Sequence, residues 1–109
     1  MIEHGPRAKL EYLAFVPSTV AWEFTWAQPV TVDTLVAYDS PDSIPQEIRV
    51  DAWIGDNWQE VAHSYWNDAA RHVHGFNRLE TTKLRYVLIG DVARGVHIGE
   101  IEIYDSAGN

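Results

Sequence analysis

The stretch VAWEFTWAQPVTVDTLVAYDS, residues 20–40, determines the fold class of this chain. Its first half places large apolar residues at every second position, at Val20, Trp22, Phe24 and Trp26. Successive residues of a β-strand point to opposite faces, so this period of two puts the four side chains on one face of a strand. The aromatic row is therefore either the core of a domain or a platform that holds a ligand.

The residues between the aromatic ones favour the core. Glu23 and Thr25 occupy the opposite face, so the charge lies on the side away from the rings. A half-buried strand has this pattern with its apolar face inward. A ligand platform usually has polar hydrogen-bonding groups beside its rings. We therefore predict that Trp22 and Phe24 are core residues.

The other tryptophans differ in their surroundings. Trp26 lies near the end of the same strand run, and we expect it and Trp58, just after a turn, to be core residues as well. Trp53 lies on the polar face of its own run and Trp66 at the edge of a polar segment. These two are the candidates for exposure.

The rest of the chain alternates short β-rich runs with turn residues, and no window has the 3.6-residue apolar period of a helix. Pro29 cannot donate to a sheet ladder, so we expect strand pairing to be interrupted there. Gly-Asp-Asn at 55–57 predicts a hairpin with a three-residue loop, and Ile101 and Ile103 are expected to point inward. The predicted strand runs are 9–16, 19–26, 30–38, 46–54, 58–66, 83–90 and 98–105. The pattern predicts one all-β domain over residues 1–109, a sandwich or barrel of seven or eight strands.

Composition excludes several classes of function. The 109 residues carry a net charge of −8, and the eight Lys and Arg are scattered, which argues against binding to nucleic acid or an anionic membrane. The absence of Cys excludes disulfides, thiolate zinc sites and Cys nucleophiles. We expect no membrane insertion and no signal peptide. The compartment stays open, because the chain could be a cytosolic protein or a module of a longer, secreted one.

Four segments in order carry a resemblance to a known family. They are WEFTWAQPVTVDTLVAYDS, IPQEIRVDAWIGDNWQEVAH, LRYVLIG and IGEIEIYD. Together they resemble the coagulation factor 5/8 type C, or discoidin, domain and the related carbohydrate-binding modules of the galactose-binding-like superfamily. The resemblance extends over about residues 20–105 and implies a jelly-roll β-sandwich of about eight mostly antiparallel strands. Leu88 stands where the family usually has Arg, and the family's N-terminal calcium loop has no counterpart.

The resemblance implies a non-catalytic module that binds a glycan through loops at one end of the sandwich. Sugar recognition uses planar polar groups for the hydroxyls and an aromatic face for the C–H side of the ring. The positions that match the family's binding loops are Asp39, Asp42, Trp66, Asn67, Arg71, Arg94 and His97. The alternative is a structural or protein-interaction sandwich of a larger assembly, which a contiguous exposed apolar patch around Trp53 would support.

Metal and catalytic sites have weaker signals. Glu100 matches the closing-strand Glu that often contributes to structural calcium in the family, with a solvent-facing carboxylate as the alternative. His72 and His74, near Asp68 and His63, define a third hypothesis, a metal-dependent hydrolase. We favour exposed strand histidines instead. No GxSxG elbow or Gly-rich phosphate loop is present, so the sequence does not predict an enzyme, although an accessory domain of one is compatible with it.

Overall fold

The computed structural model describes residues 8–15, 19–41, 45–65, 71–90 and 96–106. These residues form six strands, and every pairing between them is antiparallel. The described residues include no helix of the length and apolar character that a membrane crossing requires. The strands are β1 (Lys9–Phe15), β2 (Thr19–Pro41), β3 (Pro45–Ile54), β4 (Asn57–Tyr65), β5 (Arg71–Gly90) and β6 (Val96–Tyr104).

The two long strands, β2 and β5, each take part in two sets of pairings. The first half of β2 pairs with β1 and with the second half of β5, whose outer neighbour is β3. The second half of β2 pairs with the first half of β5 on one side and with β6 on the other. The register between β2 and β5 breaks between Thr25 and Val30, where Pro29 stands, as predicted.

The two halves of each long strand pack against each other face to face. A straight strand of 23 residues would be about 75 Å long, whereas the longest dimension of the protein is 35 Å. The rings of His74 and Tyr86 lie 5.4 Å apart, although a straight strand would separate these positions by about 40 Å. Both long strands therefore bend and cross from one layer to the other.

The result is a two-layer β-sandwich. Sheet one contains β1, the first half of β2, the second half of β5, β3 and β4, and sheet two contains β6, the second half of β2 and the first half of β5. Counting each half of β2 and β5 separately gives the eight strand segments expected of a jelly roll. The predicted fold class is confirmed.

The aromatic row on β2 fills the space between the sheets. Trp22 is 8 % exposed and Phe24 is fully buried, and Val20 and Trp26 are buried beside them. Ile101 and Ile103 of β6 face the same core, as predicted. Each fully buried side chain of this size contributes about 1.5–3 kcal/mol relative to an exposed one. The aromatic row is core, and ligand recognition has to use other residues.

The hairpin between β3 and β4 closes with two residues rather than the three predicted. Gly55 and Asp56 both have positive φ, at 59° and 65°, and Ile54 pairs directly with Asn57. This is the backbone pattern of a type I′ turn, whose twist matches the right-handed twist of the flanking strands. The Asn57 side chain then donates a hydrogen bond to the Gly55 carbonyl at 3.1 Å.

Trp58 is half-buried on the outer face of sheet one, so the prediction that it belongs to the core was wrong. The hairpin register places Trp58 opposite Trp53, and the two rings pack edge to face at 5.3 Å. The Arg85 guanidinium lies 4.2 Å from the Trp58 ring and the Lys83 ammonium 5.1 Å from the Trp53 ring. Trp53 is consequently half-buried as well. It is not one of the exposed large hydrophobic residues of the described strands, so it forms no exposed apolar patch of the kind expected for a protein-interaction module.

Candidate functional site

Three of the predicted binding residues lie at one end of sheet two. Arg71, the first residue of β5, pairs with Tyr38 of β2. Asp39 pairs with Ile98, and His97 pairs with Ser40, where β2 runs alongside β6. The side chains of Asp39 and His97 lie outside the described residues, but the backbone brings these positions together with Arg71.

The neighbouring strands of sheet one finish at the same end of the sandwich. Pro45 of β3 pairs with Gly90 of β5. Pro41 and Pro45 are joined by only three residues, a connection that spans at most about 14 Å. The last residues of β2 and the first residues of β3 are therefore close in space, although they belong to different sheets. We call this end of the sandwich the loop end.

Three of the connections that leave the loop end and return to it are 42–44, 66–70 and 91–95. They contain the remaining predicted binding residues, which lie outside the described residues: Asp42, Trp66, Asn67 and Arg94. Segments that start and finish at one end of a rigid scaffold are the usual place for binding residues. The role of all seven residues stays a prediction.

Arg71 is held on the outer face of sheet two by a residue that the sequence analysis did not select. Its Nε donates a hydrogen bond to the Tyr38 hydroxyl at 3.4 Å, and this contact raises the pKa of the Arg71 guanidinium above its usual value. Tyr38 in turn donates to Oε1 of Glu102 at 3.3 Å. The Arg71 side chain is nevertheless exposed. The period-two alternation of β2 was the available signal, since Leu35 and Ala37 face the core and Tyr38 must face outward.

His72 and His74 are buried, at 5 % and 6 % exposure, so the prediction of exposed strand histidines was wrong. They lie opposite Ala37 and Leu35 on the core face of sheet two, with their rings stacked 6.3 Å apart at an angle of 6°. Burial, followed by the charge of His72, lowers the pKa of His74 to about 4. His74 is therefore neutral near pH 7.

The metal predictions gain no support from the side chains that the structure describes. Among them, no group of three or more His, Asp or Glu residues could hold an ion. Glu100 is half-buried opposite Tyr38. His63 lies on the outer face of sheet one, where its Nε2 contacts Glu47 at 2.9 Å. Asp68, the fourth member of the hydrolase hypothesis, lies outside the described residues.

Comparison with known proteins identifies the fold. The sequence matches no family model and no curated protein. The module CBM32-6 of GH89 from Clostridium perfringens has a TM-score of 0.72 at 13 % identity, over 94 % of this chain and 96 % of that one. The GalNAc-bound module CBM32-2 of GH31 has a TM-score of 0.62 at 16 % identity, over 79 % and 64 %.

A third similar structure binds a different sugar. Chitosan-binding module 2 from the chitosanase/glucanase of Paenibacillus sp. IK-5, in complex with chitotriose, has a TM-score of 0.67 at 14 % identity, over 78 % of this chain and 69 % of that one. The chain thus spans about two thirds of the length of the two sugar-bound modules. At these identities the likeness establishes the fold alone, a β-sandwich like that of the family 32 carbohydrate-binding modules.

Proposed function

We propose that this chain is a non-catalytic carbohydrate-binding module that binds a neutral glycan at the loop end. The observation that carries the proposal is the convergence of Asp39, Arg71 and His97 at one end of a sandwich whose core is otherwise filled. The sugars bound by two modules of the same fold, GalNAc and chitotriose, support the same class of ligand.

The charges of the chain favour a neutral ligand. A net charge of −8 repels polyanions, whereas a neutral glycan pays no such penalty. Arg71 supplies exposed N–H donors, and Asp39 brings a carboxylate that accepts hydrogen bonds from sugar hydroxyls. Trp66 would supply the aromatic face for the C–H side of the ring. Asp42, Asn67, Arg94 and His97 complete the proposed set of polar contacts.

The proposal can be tested by titrating the protein and its Arg71→Ala variant with galactose, GalNAc, fucose and a panel of neutral polysaccharides. Binding is monitored by calorimetry and by tryptophan fluorescence. We expect saturable binding to at least one of these sugars. The variant should weaken that binding by about tenfold or more, because a hydrogen bond to a charged group contributes about 1.5–3 kcal/mol.

The matched control is Lys9→Ala, which removes an exposed cation from the far end of β1. It should leave the affinity unchanged. Trp66→Ala is a second test of the loop end, and we expect it to abolish the fluorescence change. The proposal is wrong if no sugar gives a saturable signal and the fluorescence titrations of the wild type and of Trp66→Ala are equally flat.

A protein-interaction module is the second candidate, and one observation favours it. Leu10 and Tyr12 of β1 lie on the core side of sheet one, opposite Phe24 and Trp22, yet they are 44 % and 54 % exposed. Among the described strands, β1 pairs only with β2, so its other edge faces away from the sheet. Tyr12→Ser should then release a partner detected by size-exclusion chromatography, while leaving sugar binding intact.

Structural calcium at Glu100 is a further proposal that a melting experiment can test. A bound ion stabilises the folded state by mass action, so added Ca²⁺ should raise the melting temperature above that in a chelator. Glu100→Gln should remove the difference. Equal melting temperatures in the two conditions would argue against the site.

A further inference from the structure

A pocket of about 300 Å³ opens at the end of the sandwich opposite to the loop end. Two elements line it, the β3–β4 hairpin and the bend in the middle of β5. The lining residues are Ile54, Glu60 and Val61 from the hairpin, and Asn77, Arg78 and Leu79 from the bend. None of them belongs to the predicted glycan site.

The pocket exists because two strands depart from regular pairing beside it. On the hairpin, Val50 pairs with Ala62 and Asp51 with Glu60, so Val61 is an extra residue without a counterpart on β3. On β5, the residues 76–78 stand opposite a single residue of β2, because the register shifts between Val32 and Thr34. Bulges of this kind bend a strand and redirect side chains, and they are frequent next to binding sites.

The walls of the pocket are held in place before any ligand binds. Ile54, Val61 and Leu79 pack against the hydrophobic core and form an apolar floor. Nη2 of Arg78 contacts Oδ2 of Asp105 at 2.6 Å, and the Asp105 side chain is 2 % exposed. The tight turn at Gly55 and Asp56 fixes the hairpin side. A preformed pocket binds at a lower entropic cost than one that has to be ordered first.

The polar groups on the rim define the ligand by their chemistry. Glu60 offers carboxylate acceptors, Asn77 offers both a donor and an acceptor, and Arg78 offers donors whose charge Asp105 offsets. The Glu60 carboxylate disfavours an anion. Mixed donors and acceptors above an apolar floor suit an uncharged ligand that has several hydroxyls and one apolar face.

The size of the pocket limits the ligand further. Pockets for small molecules usually measure roughly 300–1,000 Å³, and this one, at about 300 Å³, lies at the lower limit. We propose that the pocket binds a single neutral pyranose unit, through Glu60, Asn77 and Arg78, independently of the loop end. The chain would then contact glycans at both ends of the sandwich.

Amide NMR of the intact ¹⁵N-labelled chain tests this inference, with galactose, GalNAc, glucose, GlcNAc, mannose and fucose as separate probes. At least one sugar should cause saturable shifts of the backbone amides of residues 60–61 and 77–79 and of the Asn77 side-chain amide. Asn77→Ala and Glu60→Gln should each weaken that binding at least fivefold. Gln28→Ala, which removes an exposed amide outside the pocket lining, should leave it unchanged.

The two ends of the sandwich can be separated in the same experiment. Arg71→Ala should leave the pocket shifts intact, whatever it does to binding at the loop end. The inference is overturned if none of the six sugars shifts the residues 60–61 and 77–79. It is equally overturned if these shifts persist unchanged in Asn77→Ala and Glu60→Gln, or disappear in Arg71→Ala. All variants carry changes at exposed positions, and the dispersion of their spectra verifies the fold.

Discussion

The two halves of β5 both face the core between the sheets, but they fill it with different types of residue. In the second half the core-facing residues are Leu84, Tyr86 and Leu88, all fully buried. In the first half the most deeply buried residues on the core side are His72 and His74, which are nearly as buried. The halves also meet in space, because the rings of His74 and Tyr86 lie 5.4 Å apart.

In the first half of β5, burial follows register more closely than residue type. Val73 is an apolar residue of the first half, yet it is 53 % exposed between two buried histidines. Its partner on β2, Val36, faces the same outer side of sheet two but is fully buried in the strand between β5 and β6. The two histidines on the core side are therefore inside, whereas the valine between them on the outer side is half-exposed. Substitutions in the two halves should therefore change the free energy of unfolding by different amounts.

The largest expected effect is the difference in stability between a buried and an exposed apolar side chain of β5. Leu84→Ala removes a fully buried side chain from the core cluster and should lower the free energy of unfolding by about 2–5 kcal/mol. Val73→Ala, the matched change in the first half, should alter it by less than about 0.5 kcal/mol. Chemical denaturation of both variants measures the difference, and equal losses would contradict the assignment of faces.

The next effect belongs to the buried histidine. The pKa of His74 is about 4 in the folded protein and 6.5 is its ordinary value. Between these values the unfolded chain binds a proton that the folded protein does not, so stability is complete above pH 6.5 and falls as the pH drops toward 4. The loss of folding stability that is due to His74 is on the order of 3 kcal/mol. His74→Leu should remove it, as denaturation curves across this pH range would reveal.

The control for the histidine prediction is His63, which is exposed on the outer face of sheet one. His63→Leu should leave the loss of stability between pH 6.5 and 4 in place. A wild-type-like pH dependence in His74→Leu would show that other groups are responsible. The second half of β5 has no histidine, so it contributes nothing to this dependence.

The smallest expected effect concerns the glycine that follows the buried pair. A Cβ at Gly75 would meet no atom within 4 Å, and the residue does not have positive φ. Gly75→Ala should therefore stabilise the protein slightly, by about 0.4–1 kcal/mol, because it restricts the unfolded chain. Gly55→Ala, at φ 59°, should instead destabilise by about 1–2 kcal/mol. Melting temperatures that shift in the same direction would contradict this contrast.

The sequence predicted most where the pattern was local. The aromatic row on β2, the interruption at Pro29 and the inward side chains of β6 all follow from period-two alternation and proline chemistry. Trp58 escaped the prediction because its face depends on pairing with Trp53 across a two-residue turn. The burial of His72 and His74 was not predicted, because histidine is a polar residue type. Only the pairing with Ala37 and Leu35 of β2 shows that these positions face the core.

The candidate site divides in the same way. Arg71 could be selected from its residue type and its match to the family pattern, but its partner Tyr38 emerged from the pairing of β2 with β5. The pocket beside Val61 and Leu79 had no sequence signal at all. It arises from two register shifts, and a register shift is a relation between strands that neither strand carries alone.

By itself, the sequence determined that the chain forms strands, that the rings at Trp22 and Phe24 turn inward and that charge lies on the other face. These are properties of consecutive residues, fixed by the geometry of an extended backbone. Only the tertiary structure decided which strands lie side by side, where β2 and β5 bend between layers and which end of the sandwich gathers the polar strand ends. Those features depend on contacts between distant residues, and the free energy of burying both sheets against each other selects among them.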